Sequence, residues 1–325
     1  GYLEVDRKGR RSSPRPQARA RTTNVEVKDC EDLGRTNEEF FISIKECNSL
    51  CVSKQAPENE KTRYVHFDNE KDLSTEEVRK AVEELLEEFK DIMDDKSKPL
   101  SVMKGEPMVI KTKPGARPSR PIRQARPIPF AERQEVWEAI QDMVRQGVLR
   151  KLTTEISEWC APLHYVRKSD NSIRIVCDLT DLNRCIETPK WHIPSPKECT
   201  SMVPPGAKAF TCVDLSSGYW QVALAEESQL LTTFITPWGR YCYMRASMGL
   251  QPAGDIFSMK TDIMFQEVED KTKIVDDVLG WGKTNRQVLS TTRELFEVCR
   301  LNNLKVNAKK LQLCLSEVKF AGRLV

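Results

Sequence analysis

The sequence predicts an α+β fold, and three observations carry that reading. From Ala131 onward, strand and helix signals mix without the regular β-α-β alternation of a parallel sheet. Two apolar stretches, "APLHYVRKSDNSIRIVCDLT" and "LLTTFITPWGRYCYMRA", are interrupted by turn residues and predict hairpins, hence antiparallel pairing. Long segments with apolar residues at helical spacing supply faces able to cover a sheet.

The 325 residues suffice for two or three compact units. A hydrophobic content of 39% suits a globular part joined to a polar extension. Residues 1–72 fit that extension: they lack sustained periodicity, carry Arg7, Lys8, Arg10, Arg11, Arg15, Arg19 and Arg21, and are expected to be disordered apart from local structure around "EEFFISI". The chain opens on Gly1 rather than methionine and is expected to be a piece of something longer.

Residues 73–125 predict a helix followed by a connector. In "STEEVRKAVEELLEEFKDIMDD", Ser74 or Thr75 can cap, and Val78, Val82, Leu85, Leu86, Phe89 and Ile92 form the apolar face. Six prolines between Pro107 and Pro129 keep the chain extended, with Arg117, Arg120, Arg123 and Arg126 free to face a polyanion or simply solvated. From 126 to 325 the pattern is globular. "AERQEVWEAIQDMVRQGVL" predicts a helix presenting Val136, Ile140, Met143 and Val144 and ended by Gly147. After the first hairpin comes a buried strand, "AFTCVDL", and then the second hairpin around Pro237, Trp238 and Gly239. "PAGDIFSMKTDIMFQEV" predicts a helix, "KIVDDVLGW" a strand–turn–strand, "NRQVLSTTRELFEVCRLNN" a helix and "EVKFAGRLV" a closing strand.

The net charge of +3 says little about partners. No apolar run reaches membrane-spanning length and no secretory core is present, so the expectation is a soluble, intracellular protein. Of eleven cysteines only Cys47 and Cys51 are close, with no histidine at zinc-ligand spacing. They are read as reduced thiols serving as small buried residues.

Two adjacent aspartates sit at the centre of an apolar segment, "KTKIVDDVLGWG". Neighbouring like charges at a partly buried turn repel, and a divalent cation removes that problem by becoming the dominant local charge. Magnesium suits such a place because it accepts one or two carboxylates and completes its shell with substrate phosphates. Two aspartates can equally just close a turn. "FTCVDLSSGYWQ" repeats the design, with Asp214 at the end of a second apolar strand. Carboxylates from two strands around two metals are suited to displacement at phosphorus.

With these stretches in view, residues from about Pro99 to Val325 resemble the reverse transcriptase region of a gypsy-type LTR retrotransposon pol polyprotein. "GVLRKLTTEISEWCAPLHYVRKSDNSIRIVCDLTDLN" resembles its fingers. "VDLSSGYWQVALAEESQLLTTFITPWGRYCYMRASMGL" resembles the first catalytic motif and its sequel. "IVDD" stands for the aromatic–x–Asp–Asp signature, and "LKVNAKKLQLCLSEVKFAGRLV" for the last palm motifs.

The resemblance implies a right-hand polymerase fold of fingers and palm, its antiparallel palm sheet backed by helices, with the thumb absent. It implies an RNA-directed DNA polymerase joining dNTPs to a primer 3′-hydroxyl on an RNA or DNA template. Asp214, Asp276 and Asp277 would hold two Mg2+ ions, replaceable by Mn2+, with the Leu215 carbonyl a further ligand. Asp277 is expected to be the least direct, since adjacent strand residues point to opposite faces. Lys168 and Arg174 match positions that grip the triphosphate. Tyr219 matches the ring that excludes a 2′-hydroxyl, Gly249 a close-approach glycine, and Lys310 a proton donor to pyrophosphate. Phe320, Ala321 and Gly322 match the primer grip. Without the resemblance, these would read as solvated hairpin charges, a core tyrosine, a helix-end lysine and an apolar strand.

The sequence departs from the family pattern at Ile274, which replaces the usual aromatic. Gly254 stands where many relatives have proline, and Ser258 where many have glutamine. No RNase H, integrase or protease signature is seen, so downstream regions of a parent polyprotein are expected to be missing and primer–template to be held weakly. The localisation implied is a cytoplasmic retroelement particle, the nucleus remaining open. The competing functional readings are a catalytically inactive remnant that binds nucleic acid or a protein partner, and a metal-dependent nuclease. The second fits Lys168, Arg174 and Tyr219 poorly.

Overall fold

The computed structural model describes residues 72–119, 122–168 and 171–325. The extension expected over residues 1–72 therefore lies, but for Asp72, outside the described residues, as do Cys30, Cys47, Cys51, Arg120 and the Ser169–Asp170 half of the first hairpin turn.

Helix α1 (Thr75–Glu88) begins where the sequence places it. Ser74 is the N-cap and forms a capping box with Glu77, satisfying two otherwise free backbone donors. Its apolar face continues through a short 3-10 turn, burying Leu85, Phe89 and Ile92. Phe89 packs on Phe296 with ring centroids 5.5 Å apart. The proline-rich stretch that follows carries only isolated bridges, Met108 to Leu224 and Thr112 to Ile186. Its start nonetheless belongs to the main core, because Met108 and Ile110 are buried there, whereas its described residues from 111 to 129 are exposed or half-buried.

Helix α2 (Arg133–Arg145) buries Val136, Ile140 and Met143 and gives way at Gly147, whose φ of 68° is open to glycine without a Cβ penalty. Strands β1 (Leu149–Lys151), β2 (Ala161–Arg167) and β3 (Ile173–Cys177) follow, then short helices α3 (Thr180–Cys185) and α4 (Pro196–Ser201) that periodicity is too brief to announce. Strand β4 (Ala209–Asp214) is buried throughout. After the 3-10 turn Gly218–Gln221 come α5 (Glu226–Gln229), β5 (Phe234–Thr236), β6 (Gly239–Tyr243), α6 (Pro252–Met264), β7 (Lys271–Ile274), β8 (Asp277–Gly282) and α7 (Asn285–Leu301). The chain closes with β9 (Gln312–Leu315), β10 (Lys319–Phe320) and β11 (Arg323–Leu324).

Two larger sheets result. One has the order β1-β6-β5-β2-β3 and is antiparallel except for β2 against β5. The other, β7-β8-β4-β9, is antiparallel throughout. Helix α7 backs it: the Thr211 and Thr292 hydroxyls bond at 2.8 Å, and Gly280 leaves room for Thr291 and Leu295. Both expected hairpins are present, β2–β3 and β5–β6.

Three details differ from the sequence reading. "EVKFAGRLV" is not one strand but a two-residue hairpin, because Ala321 and Gly322 take φ of 45° and 78° and reverse the chain. The α6 helix stops at Met264, and Phe265 and Val268 are buried beyond its end. Val275 is not on the strand: it lies in the turn, half-buried, while Thr272 and Lys273 are the buried residues of β7.

Candidate active site

The site is built on the β7–β8 hairpin and the end of β4. Ile274 pairs with Asp277, leaving Val275 and Asp276 as a two-residue loop. Val275 has φ of 51°, at a position where hairpin loops favour glycine. A left-handed conformation costs a side-chain-bearing residue about 1–2 kcal/mol. The surroundings hold it there: Lys273 Nζ donates to the Val275 carbonyl at 3.3 Å and the Leu215 N–H donates to the Asp276 carbonyl at 2.8 Å. Lys273 is itself buried and anchored on Asp262 at 3.1 Å, which also accepts from the Trp191 indole at 2.7 Å. Backbone strain is thus fixed by a network behind the turn, as occurs at functional sites.

The register sets Asp277 directly opposite Asp214. Residues opposite each other in an antiparallel pair share a face. The argument that strand alternation turns Asp277 away therefore does not apply, since β8 starts at Asp277 and Asp276 belongs to the turn. Asp214 is 6% exposed, and Asp276 and Asp277 are half-buried. Burial pushes the Asp276 carboxyl above its ordinary range and Asp214 adds repulsion, against the Asp276 N–H, Lys310 and Lys273. Burial likewise raises Asp277, with repulsion from Asp276 and Asp214 partly offset by Lys310 and the Ala321 N–H. Both shifts record a concentration of negative charge out of water.

Lys310, in the 3-10 turn Ala308–Lys310, donates to Asp214 Oδ2 at 2.6 Å. Its pKa is raised by that bond first and by the neighbouring carboxylates after it. The ammonium stands where the crowded carboxylates favour a positive charge. Among the described residues no group of three or more His, Cys, Asp or Glu side chains is gathered closely enough to hold a metal by itself. An ion here would draw its remaining ligands from substrate phosphates and water, as magnesium commonly does.

Beside the carboxylates lies a cavity of about 350 Å3 whose lining includes Lys168, Arg174, Ser217, Tyr219 and Met248. The structure thus brings Tyr219 together with Lys168 and Arg174 of the β2–β3 hairpin, from two separate stretches of sequence. Lys168 and Arg174 are exposed, and among the described residues neither makes an ion pair. Tyr219 is half-buried, edge-on to Phe257 at 5.8 Å, its hydroxyl pKa raised by burial and then by Asp276 and Asp255. Gly254 lies by it: a Cβ there would be 3.6 Å from the tyrosine hydroxyl. Gly249 stands apart from this cavity. Its φ is 87° and its carbonyl accepts from Asn183 at 2.7 Å. Phe320 is fully buried in a second apolar cluster with Ile274 against it, so of the three primer-grip candidates only the Ala321–Gly322 turn reaches the acids, through the Ala321 N–H on Asp277. Ser258 is buried with its hydroxyl unpartnered among the described residues.

Several residues that position the site escaped the sequence reading. A Cβ on Gly218 would fall 2.7 Å from Phe257 Cζ, so this glycine lets the Tyr219 turn close on α6. Gln221, fully buried, donates to the Ser216 and Lys305 carbonyls at 2.7 and 3.0 Å and accepts from the Lys305 N–H. Arg245 is 9% exposed and donates to four backbone carbonyls, those of Gly147, Ser101, Trp220 and Leu100. None of these carries a local signal beyond a polar or small residue in an apolar stretch.

Part of the chain is similar to known proteins. Residues 166–324 match the family model described as reverse transcriptase (RNA-dependent DNA polymerase). This segment is a reverse transcriptase domain. Reverse transcriptases are nucleotidyltransferases by reaction class. The chain is 29% identical over 202 residues to the retrovirus-related Pol polyprotein from transposon 412 of Drosophila melanogaster, covering 60% of this chain and 16% of that protein. It is 30% identical over 229 residues to the Gag-Pol polyprotein of feline leukemia virus, covering 66% and 13%. The chain therefore spans less than a fifth of the length of these polyproteins. Among solved structures, the foamy viral protease–reverse transcriptase in complex with RNA/DNA hybrid superposes with a TM-score of 0.69 at 21% identity, over 78% of this chain and 33% of that one. That likeness establishes the fingers and palm fold.

Proposed function

We propose that this chain is the RNA-directed DNA polymerase region of a gypsy-type LTR retrotransposon polyprotein, adding dNTPs to a primer 3′-hydroxyl. The observation that carries the reading is the pairing of Asp214 with Asp277 across β4 and β8, with Asp276 in the strained turn beside them and a cation-lined cavity next to it. Asp214, Asp276 and Asp277 would hold Mg2+, or Mn2+ in its place, the Leu215 carbonyl being a further candidate ligand. When bound, two such ions supply activation of the primer hydroxyl and charge neutralisation at the leaving pyrophosphate.

The protein's own groups have separate tasks. Lys168 offers a point charge and Arg174 a planar fork to the triphosphate. Tyr219 sits on a rigid base, Phe257 being fully buried beneath it, so its ring can discriminate at the sugar 2′ position. Lys310 donates to Asp214 and would give a proton or charge to the leaving group, a role its ammonium beside the acids supports. The RNA/DNA hybrid named for the foamy viral relative supports a primer–template duplex as partner. The motif order quoted above supports the gypsy-type assignment, and a retroelement particle in the cytoplasm is the setting it suggests.

Extension of oligo(dT) on poly(rA) with magnesium tests this reading, in the full chain and in a form carrying the downstream polyprotein region. Magnesium-dependent incorporation that Asp276→Asn abolishes is the expected result. Incorporation unaffected by that change rejects the assignment. RNA binding that persists in EDTA, weakens steeply with salt and is accompanied by no incorporation supports the inactive-remnant reading instead.

A further inference from the structure

A third cation faces the cavity above Tyr219. Lys96 lines it together with Lys168 and Arg174, yet it comes from the segment 93–104, upstream of the residues that match the reverse transcriptase family. That segment is a strap fastened to the palm. The Asp94 N–H donates to the Val306 carbonyl at 2.9 Å, the Met103 N–H to Gln221 at 2.8 Å and the Lys104 N–H to Asn302 at 3.0 Å. Arg245 grips its middle through the Leu100 and Ser101 carbonyls, at 3.1 and 3.3 Å, while donating to Trp220 at 3.2 Å.

The end of the strap nearest the acids is fixed by a buried carboxylate. The Asp94 side chain is 7% exposed and bonds both the Ser216 hydroxyl and the Lys96 ammonium. Ser216 lies two residues beyond Asp214, and Lys96 Nζ is 3.5 Å from its hydroxyl. The Lys96 side chain nevertheless remains 63% exposed, toward the cavity it lines. An ammonium has three donors. One serves Asp94 and at most one Ser216, which leaves a donor for a ligand. The other acid on the lining, Asp142, is engaged by Gln146 at 2.7 Å and Arg145 at 3.1 Å.

We propose that Lys96 is a third contact for the polyphosphate of the incoming nucleoside triphosphate, an inference that rests on the polymerase reading above. Lys168 and Arg174 approach from the exposed β2–β3 hairpin, whereas Lys96 is anchored on the palm floor beside Ser216. A polyphosphate between them meets cations from two sides. A volume of about 350 Å3 with Tyr219 in its wall suits one nucleotide rather than a run of strand backbone.

The test measures KM for dATP and Kd for primer–template in the full chain, with Lys96→Gln, Lys96→Arg and Asp94→Asn. Lys96→Gln is expected to raise KM for dATP about tenfold, in KM more than kcat, with Lys96→Arg recovering most of the loss. Kd for primer–template stays as in the parent protein. Asp94→Asn keeps the ammonium and is expected to change KM less than Lys96→Gln; equal losses would trace the effect to a loosened strap and overturn the proposal. An unchanged KM, or a loss confined to primer–template binding, would also overturn it, the latter making Lys96 a strand-phosphate contact. If the parent protein extends no primer, the polymerase reading fails, and calorimetric binding of magnesium–dATP decides Lys96 separately. Binding weakened tenfold by Lys96→Gln supports the contact, and no binding or equal binding rejects it.

Discussion

The acids at the β4–β8 end and the cations of the β2–β3 hairpin are built on opposite principles. At the β4–β8 end, acids are placed where strands are buried on both sides: Asp214 is nearly inaccessible, and Asp276 and Asp277 are half-buried and raised in pKa by burial and mutual repulsion. On the β2–β3 hairpin, Lys168 and Arg174 stand in solvent. The first region carries electrostatic strain in its free state, which a cation relieves, and Lys310 relieves part of it already. The second stores nothing and can rearrange around a ligand. The difference teaches that charge count is a poor guide to function; degree of desolvation separates a preorganised site from an adaptable one.

Removing a desolvated acid should separate activity from stability. Asp276→Asn is expected to lower primer extension at least about a hundredfold. It should also raise the melting temperature measured in EDTA at neutral pH. The sign follows from the raised pKa: the folded chain holds this proton more tightly than the unfolded chain. Its contribution to metal-free stability is therefore fully present below the ordinary carboxylate range and is lost as pH rises through it toward the folded pKa. Thermal melts of the parent protein and Asp276→Asn at pH 4 and pH 7, with and without Mg2+, check this; the stabilisation by Mg2+ should be larger at pH 7, and the gain in melting temperature from Asp276→Asn in EDTA should be larger at pH 7 than at pH 4.

The rigid side should resist added volume. Gly218→Ala places a methyl 2.7 Å from a fully buried phenylalanine ring and is expected to cost about 1–3 kcal/mol, read as a lower urea midpoint. Next in size is Tyr219→Val, which removes the ring proposed to discriminate at the sugar. Incorporation of ribonucleotides relative to deoxynucleotides is expected to rise about tenfold or more, measured as a ratio of kcat/KM. On the solvated side, Arg174→Ala should leave stability within about 0.5 kcal/mol. Its KM for dNTP should rise several-fold, a result that would mark the hairpin cations as ligand-binding without being structural. A large loss of stability there would erase the contrast between the two regions.

What was legible in the sequence was local. Ser74 or Thr75 announces a helix start, which the structure resolves as a Ser74 cap, and "SDNS" and "PWG" announce the turns of the β2–β3 and β5–β6 hairpins. The hairpin around Asp276 was legible too, though its loop begins one residue before the first aspartate, because Val275 is forced into a conformation its β-branched side chain disfavours. The last strand was misread since "AG" reverses the chain with a turn too short to break an apolar pattern. The contacts that complete the site were invisible. Asp94 to Ser216, Arg245 to Leu100 and Met103 to Gln221 join residues more than a hundred positions apart, and no periodicity links them.

By itself, then, the sequence determined the long helices, the β2–β3 and β5–β6 hairpins and the turn that carries the candidate acids, because hydrogen-bonding turns and side-chain periodicity act over a few residues. The tertiary structure alone decided which acid faces which, that the proline-rich segment is anchored in the core at its start, and that a strap from upstream brings Lys96 to the cavity. Those outcomes depend on packing between distant segments, where burial sets the energy of each charge and only the folded chain determines which groups share the same dry space.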